Sequence, residues 1–335
     1  MQKEILKELL KEYEKKRLRA FQQSDERKES LYLQNPELQE IDRQLNHFAI
    51  GSAKHILNSS ATIDINSFAN KVEQLKKKKE TILSSLSLPL EYLQPTFECK
   101  KCNDTGYITT NNSTIMCSCL KQRLFNEIYN KSNITNLEQE NFEHFDFAMY
   151  SDKVNSSVYG SNLSPRENMK LLQKVGQDFI KQFEDKKEKD LLFTGNPGLG
   201  KTFLSNCIAK EIMEKGYTVL YQTAPILLDS IIDYRFGKKS IPTTFYDTVL
   251  DVDLLIIDDL GTESMNTLKF TELFNIINSR ILNKGKKISK TIISTNLTLQ
   301  NLFSNYDERI VSRLVGYYTL CRFYGEDIRF KRIKK

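Results

Sequence analysis

Apolar residues recur at helical spacing through the first ninety or so positions. From Ile5 to Leu33 they fall at Ile5, Leu6, Leu9, Leu10, Tyr13, Leu18 and Phe21, with Lys and Glu between them, which predicts an amphipathic helix. Asn35-Pro36-Glu37 opens a second helix with an N-cap residue and a proline at the first helical position. Its stripe is Leu38, Ile41, Leu45, Phe48 and Ile56. A third start, at Asp64 or Asn66, leads Phe68, Val72, Leu75, Ile82 and Leu86. Three such helices make a small bundle or hairpin without chemistry of its own, so residues 1–95 are expected to grip a partner protein. The lysine run 76–79 reads as a solvated face of the third helix.

Further along, the pattern changes. Ser164-Pro165-Arg166-Glu167 is a capping box with proline at the first helical position, opening a helix to about Phe183. Short apolar runs at 190–194, 217–221, 254–259 and 291–296 then alternate with helical segments after Lys201, at 225–236 and at 267–282. This alternation predicts an α/β domain over 164–335, a parallel sheet flanked by helices. In such sheets the ligand lies beyond the C-terminal ends of the strands. Between the two halves, 96–125 forms a compact Cys-bearing module and 126–163 a linker. The linker aromatics Phe142, Phe145, Phe147 and Tyr150 are expected to pack it onto the next domain. The sharper alternative puts them beside a nucleotide base. Residues 151–163 are polar and read as a loop.

Composition narrows the class. A chain of 335 residues with 39% hydrophobic and 27% charged positions fits a soluble protein of two or three domains. A net charge of +6 permits nucleic-acid contact without demanding it. No apolar stretch is long enough to span a bilayer, and the charged N-terminus is no signal peptide. The expected location is therefore the cytoplasm, where cysteines are reduced or metal-bound.

The strongest chemical signal is Gly195-Asn196-Pro197-Gly198-Leu199-Gly200-Lys201-Thr202, a full P-loop between a strand and a helix. Its glycines let backbone N–H groups approach a polyphosphate at a helix N-terminus. Lys201 is expected to reach the β- and γ-phosphates of ATP and Thr202 to place its hydroxyl on Mg²⁺. Asp258, after four apolar strand residues, is expected to hold the same ion, directly or through water. Asp259 is placed to orient an attacking water, and Asn296, at the next strand's end, to bond that water or the γ-phosphate. Arg309 and Arg313 share one helix face and Arg329 follows, so any of them is a candidate for late charge stabilisation.

Cys99, Cys102, Cys117 and Cys119 form two close pairs separated by a turn and a strand pair. That spacing suits a closed, structural zinc site, although the second pair is C-x-C rather than C-x-x-C. An iron–sulfur cluster and four reduced thiols are the other readings.

Taken together, GNPGLGKT from Gly195, LLIIDDLGTE from Leu254, ISTN ending at Asn296, ERIVSRL from Glu308 and GEDIR from Gly325 resemble the AAA+ ATPases of the DnaC/DnaI type, the bacterial replicative helicase loaders. The Cys pairs with Asp104-Thr105-Gly106-Tyr107 resemble the zinc-bearing linker of the DnaI-like branch. The resemblance implies a slow ATPase switch whose N-terminal domain binds the hexameric replicative helicase. It also implies single-stranded DNA as a partner and self-assembly through AAA+ interfaces. It makes Asn296 the sensor 1 residue, Arg313 the arginine finger for a neighbour's ATP with Arg309 beside it, and Arg329 the sensor 2 residue. Asp259 departs from the glutamate usual at that position; being one methylene shorter, it favours slow hydrolysis. A transposition helper of the IstB type, acting on duplex DNA, shares the ATPase domain and is the main alternative. A DnaA-type initiator would need a DNA-binding domain beyond Arg329, and a metabolic P-loop kinase would leave Asn296 and the Arg pair without a reason.

Overall fold

The computed structural model describes residues 2–57, 65–110, 113–127, 137–237, 245–264 and 266–332, without the side chains of 2–3, 49–57, 65–68 and 331–332. The expected helix start Asp64 and the stripe side chains Ile56 and Phe68 lie outside what is described. The chain divides into two compact units, Glu8–Ile115 and Met116–Lys335 with Met1–Lys7. No described helix is long and apolar enough to cross a membrane.

Three helices build the first unit: α1 (Gln2–Gln34), α2 (Pro36–Leu57) and α3 (Ile65–Ser85). Its small core joins Leu31, Leu38, Leu83 and Leu93. The seam of α1 differs from the expected stripe. Leu9, Tyr13, Ala20, Ser24 and Leu31 are buried, whereas Leu18 and Phe21 are exposed. Counting from Leu9, the buried positions advance by four and then seven residues, so the small Ala20 and Ser24 fall on the seam and the larger Leu18 and Phe21 fall off it. Ser24 is satisfied by donating to the Leu93 carbonyl at 2.8 Å. Arg27 donates to the carbonyls of Tyr92 and Gln94, both at 2.9 Å, pinning the segment after α3 to α1. Of the lysine run, 76–78 are exposed as expected, but Lys79 is half-buried. It pairs with Asp42 at 2.5 Å, and Tyr32 donates to the same carboxylate at 2.6 Å.

A β-hairpin follows, β1 (Tyr107–Thr110) and β2 (Ser113–Met116). The turn before it is shaped by Asp104, whose carboxylate accepts from the backbone N–H groups of Glu98 and Cys99 at 2.9 and 2.8 Å. Asn103 and Asp104 both adopt left-handed conformations there.

The second unit is α/β. Its sheet contains β3 (Asp190–Thr194), β4 (Val219–Thr223), β5 (Leu254–Leu260), β6 (Lys290–Thr295) and β7 (Tyr318–Arg322) in the order β4-β5-β6-β3-β7. All pairings are parallel. Side chains alternate across the sheet. Leu192, Leu220, Leu255, Ile257 and Ile293 join one apolar layer, and Leu191, Phe193, Tyr221, Leu254, Ile256 and Ile292 the other. The helices are α4 (Ser118–Phe125), α5 (Ser156–Tyr159), α6 (Pro165–Lys181), α7 (Lys201–Glu214), α8 (Ala224–Arg235), α9 (Phe245–Asp251), α10 (Thr267–Asn283), α11 (Leu299–Asn305), α12 (Glu308–Tyr317) and α13 (Arg329–Arg332). The capping box forms as read: Ser164 N–H donates to Glu167 at 2.8 Å, and Glu167 N–H donates to Ser164 Oγ at 3.2 Å. Gln122 on α4 exchanges two hydrogen bonds with the Val219 backbone on the outer strand β4, covering part of an open edge.

Among the described residues several elements escaped the sequence pattern, α9 and α11 among them. The 151–163 segment, read as a loop, contains the single turn α5, capped by Asn155 and closed by Gly160. Strand β7 was not foreseen. Among the described residues it pairs with β3 alone, at a sheet edge; Tyr318 and Cys321 are buried while Leu320 is exposed. Half-exposed and mixed in composition, it carries no continuous apolar run.

Candidate functional site

The P-loop leaves β3 and turns into α7. Gly195, Gly198 and Gly200 all have positive φ. Each is also crowded. A Cβ at Gly195 would run into the Phe323 carbonyl, one at Gly198 into the Asp327 carboxylate, and one at Gly200 to within 2.5 Å of the Tyr150 hydroxyl. Gly200, as N-cap of α7, gives the helix no side-chain cap. The first N–H groups of α7 are thus left for an anion, which is the cradle a polyphosphate fits.

Lys201 is buried, and its Nζ donates to Gly195 O (2.6 Å), Asn196 O (2.9 Å) and Asn296 Oδ1 (2.7 Å). Burial pulls its pKa down to about 8, against the attraction of Asp259 and Asp258. Asn296 hydrogen-bonds the Asp259 side chain as well, so one amide joins the P-loop lysine to the second acidic residue. Burial and the neighbouring Asp258 charge raise the Asp259 pKa, while Lys201 opposes them. Asp259 also sits at φ +54°, at the register shift between Ile257 and Leu260, so its side chain leaves the strand alternation. Thr202 Oγ1 donates to Asp258 Oδ2 at 3.0 Å, bringing together the two groups expected to hold Mg²⁺.

Most of these residues, though not Gly195, Asn196 or Asp258, line one open cleft of about 460 Å³. Pro197, Gly198, Gly200, Lys201, Thr202, Asp259, Asn296 and Arg329 form its walls, with Glu140, Phe203 and Ile328. Arg309 and Arg313 are not among them. Arg309 pairs with Asp307 at 2.9 Å over the Phe274 ring, and Arg313 Nε donates to Asn278 at 3.2 Å. The linker aromatics pack against the core, as the first of their two readings expects: Phe145 lies 5.2 Å from the Phe203 ring and 5.0 Å from Phe147. From this stretch the cleft itself receives Glu140, which accepts a hydrogen bond from Asn206.

Sequence reasoning missed several contributors, Glu140, Phe203 and Ile328 among them, and it named Tyr150 only as a packing or base-side ring. Tyr221 and Ser294 bond Asp258 from the two flanking strands. Tyr150 reaches the Leu199 carbonyl at 3.3 Å. Asp327, two residues before Arg329, caps its N–H and pairs with its guanidinium at 2.5–3.1 Å. The D-x-R spacing was the available signal for Asp327; Tyr221, Ser294 and Tyr150 come from distant segments. The Asp327 pair sets a carboxylate against Gly198 and neutralises a cation on the cleft wall. Asp327→Ser keeps an N-cap acceptor and removes the charge. It should tighten ATP binding a few-fold in nucleotide titration, and unchanged or weaker binding would show that the pair does not restrain Arg329.

The four cysteine sulfurs lie within 4.8 Å of one another, two of the residues buried. Cys117 is the N-cap residue of α4, and Cys99 and Cys102 flank the Asp104 turn. Four converging thiol donors fit a tetrahedral, closed zinc site that would brace the hairpin. We expect Cys102→Ser to lower the bound zinc measured per chain from about one to near zero. Zinc retained at the wild-type ratio would refute the ligand assignment.

A family model described as IstB-like ATP binding protein matches residues 121–331. The replicative helicase loader DnaC of Escherichia coli (strain K12) is 25% identical over 146 residues, 44% of this chain and 57% of that protein. The chain thus spans a little over half the length of the curated relative it matches. Among solved structures, the DnaC helicase loader is 26% identical with a TM-score of 0.43, covering 57% of this chain and 99% of that one. AMPPCP-bound DnaA from Aquifex aeolicus is 24% identical with a TM-score of 0.44, covering 58% and 54%.

Proposed function

Since the chain belongs to the IstB-like ATP-binding family, we propose that it is an ATP-hydrolysing loader that places a hexameric replicative DNA helicase on single-stranded DNA. The observation that carries the ATPase part is the meeting of Lys201, Thr202, Asp259, Asn296 and Arg329 on one cleft, with Asp258 bonded to Thr202. Phosphoryl transfer to water needs little beyond positioning and charge stabilisation, and this set supplies both. Lys201 and the α7 amides bind the phosphates. Thr202 and Asp258 would hold Mg²⁺, whose chemistry is neutralisation of charge on the β- and γ-oxygens. Asp259 and Asn296 orient the attacking water. The short Asp259 side chain supports slow turnover, as in a switch rather than a motor.

The loader part rests on similarity to the E. coli loader and on the separate helical unit ahead of the ATPase domain. In this reading residues 1–95 hold the helicase, zinc braces the 96–125 module, and the linker 126–163 leads into the AAA+ domain, 164–335. Arg313, outside its own cleft, acts on a neighbour's ATP. ATP binding assembles the subunits, single-stranded DNA enters, and hydrolysis releases the loader in the cytoplasm.

The match to an IstB-like family model is the ground for a second reading, a transposition helper acting on duplex DNA. One pull-down separates the two. The host replicative helicase is offered to the full chain and to residues 1–150, each with and without ATP. Capture by both supports the loader and puts the grip ahead of the ATPase domain. Capture by neither, with duplex DNA bound instead, supports the transposition helper.

A further inference from the structure

An ionised carboxylate offers about four lone-pair sites. At Asp258 each oxygen already takes two donors from this chain. Ser294 Oγ and the Asp259 N–H, the latter at 3.0 Å, both reach Oδ1. The Tyr221 hydroxyl at 2.6 Å and Thr202 Oγ1 at 3.0 Å both reach Oδ2. Three of these donors are fixed. Ser294 is fully buried on β6, Tyr221 is buried on β4, and the third is backbone. Of the three hydroxyl donors, only Thr202 belongs to a residue on the cleft wall, where its partner can change.

We propose that Tyr221 and Ser294 are positioning residues for the nucleotide's divalent cation: they clamp Asp258 from the two neighbouring strands so that only the lone pair shared with Thr202 faces the cleft. The inference rests on the ATP-site reading above. Opening any other lone pair would break a buried hydrogen bond to a charged group, which is costly. Mg²⁺ demands near-ideal octahedral geometry, so a carboxylate free to rotate would serve it poorly. Asp258 held in this way serves the cation through Thr202 or a water and does not wrap it with both oxygens. The clamp is a consequence of strand order: β5 lies between β4 and β6, so Asp258, near its C-terminal end, receives one hydroxyl from each side.

The test is a Mg²⁺ titration of binding of a fluorescent ATP analogue to the full chain, with a parallel measurement in EDTA. Tyr221→Phe keeps the ring in the core and removes only the hydroxyl. Its affinity in EDTA is expected to stay within about twofold of wild type, while the Mg²⁺ half-saturation rises about tenfold, the usual scale for losing a partner of a metal ligand. Ser294→Ala should behave alike, and Ser294→Thr, which retains a hydroxyl, should restore the wild-type Mg²⁺ dependence. That pair of variants decides the matter if Tyr221→Phe fails to fold. Wild-type Mg²⁺ half-saturation in the hydroxyl-less variants would overturn the proposal. So would equal losses with and without Mg²⁺, which mark a merely structural role. A wild-type chain that binds no nucleotide at all would instead remove the functional reading, and that outcome shows before any substitution is made.

Discussion

Lys201→Ala is expected to weaken ATP binding at least a hundredfold. Charge-assisted hydrogen bonds contribute roughly 1.5–3 kcal/mol each, and two of them to phosphate oxygens exceed the roughly 3 kcal/mol that a hundredfold represents. The ammonium is already gathered at the mouth of the P-loop by the Gly195 and Asn196 carbonyls and by Asn296, so little ordering remains when the phosphates arrive. The fold should survive, because the substitution removes a desolvated cation and leaves the apolar layers intact; a melting shift of no more than about 4 °C is expected. Isothermal titration with ATP checks the first part, and affinity within threefold of wild type would refute the role. A pH dependence accompanies it. With the Lys201 pKa pulled to about 8, the empty site loses its cation as pH rises through 8, and ATP affinity should fall from there upward. Stability of the empty chain moves the other way. The unfolded lysine titrates near its ordinary 10.5, so between about 8 and 10.5 the unfolded chain binds more protons and Lys201 contributes a gain in stability as pH rises.

Arg313→Ala should leave ATP binding within about twofold of wild type and abolish hydrolysis, with a loss in kcat on the order of a thousandfold or more if the residue acts as a finger in trans. Its guanidinium lies on α12, bonded to Asn278 and 5.9 Å from the Tyr317 ring, and takes no part in the cleft of its own subunit. Binding of ATP by one chain therefore does not depend on it. Assembly does, in this reading, so ATP-dependent oligomers seen by light scattering should vanish together with turnover. Mixing with Lys201→Ala sharpens the test. An inactive chain that keeps Arg313 should restore turnover at the ATP of an Arg313→Ala neighbour. Equal loss of ATP binding in the two single variants would sink the trans role.

The contrast between these two residues shows what could be read from the chain alone. Lys201 stands in a motif whose geometry is completed within eight consecutive residues, so its place at the head of α7 was legible at once. Asp258 and Asp259 were legible because a run of apolar residues stops at them, and Asn296 because another run stops there. The four cysteines converge because short turns decide their spacing. The order of strands and helices in the second unit followed from periodicity, to within a few residues, for every element buried on both faces.

Where an element is half-exposed, or a partner comes from far along the chain, the pattern was silent. Among the described residues strand β7 pairs with β3 alone, and its Leu320 and Arg322 are exposed, so no apolar run marks it. The seam of α1 uses Ala20 and Ser24, because helix phase rather than side-chain size decides what is buried. Lys79 looked like its three neighbours until Asp42 was brought beside it. Tyr221 and Ser294 lie thirty-seven and thirty-six residues from Asp258 and read as ordinary strand positions. Their convergence required β4 and β6 to flank β5.

The sequence by itself determined a P-loop, two acidic residues and an asparagine at strand ends, and a cysteine quartet, since each depends on backbone geometry over a few residues. The tertiary structure decided which hydroxyls bond Asp258, that Asp327 pairs with Arg329 beside Gly198, and that Arg313 stands outside the cleft of its own chain. Those contacts follow from the order in which strands pack, and strand order is set by burial over the whole domain, not by any local stretch.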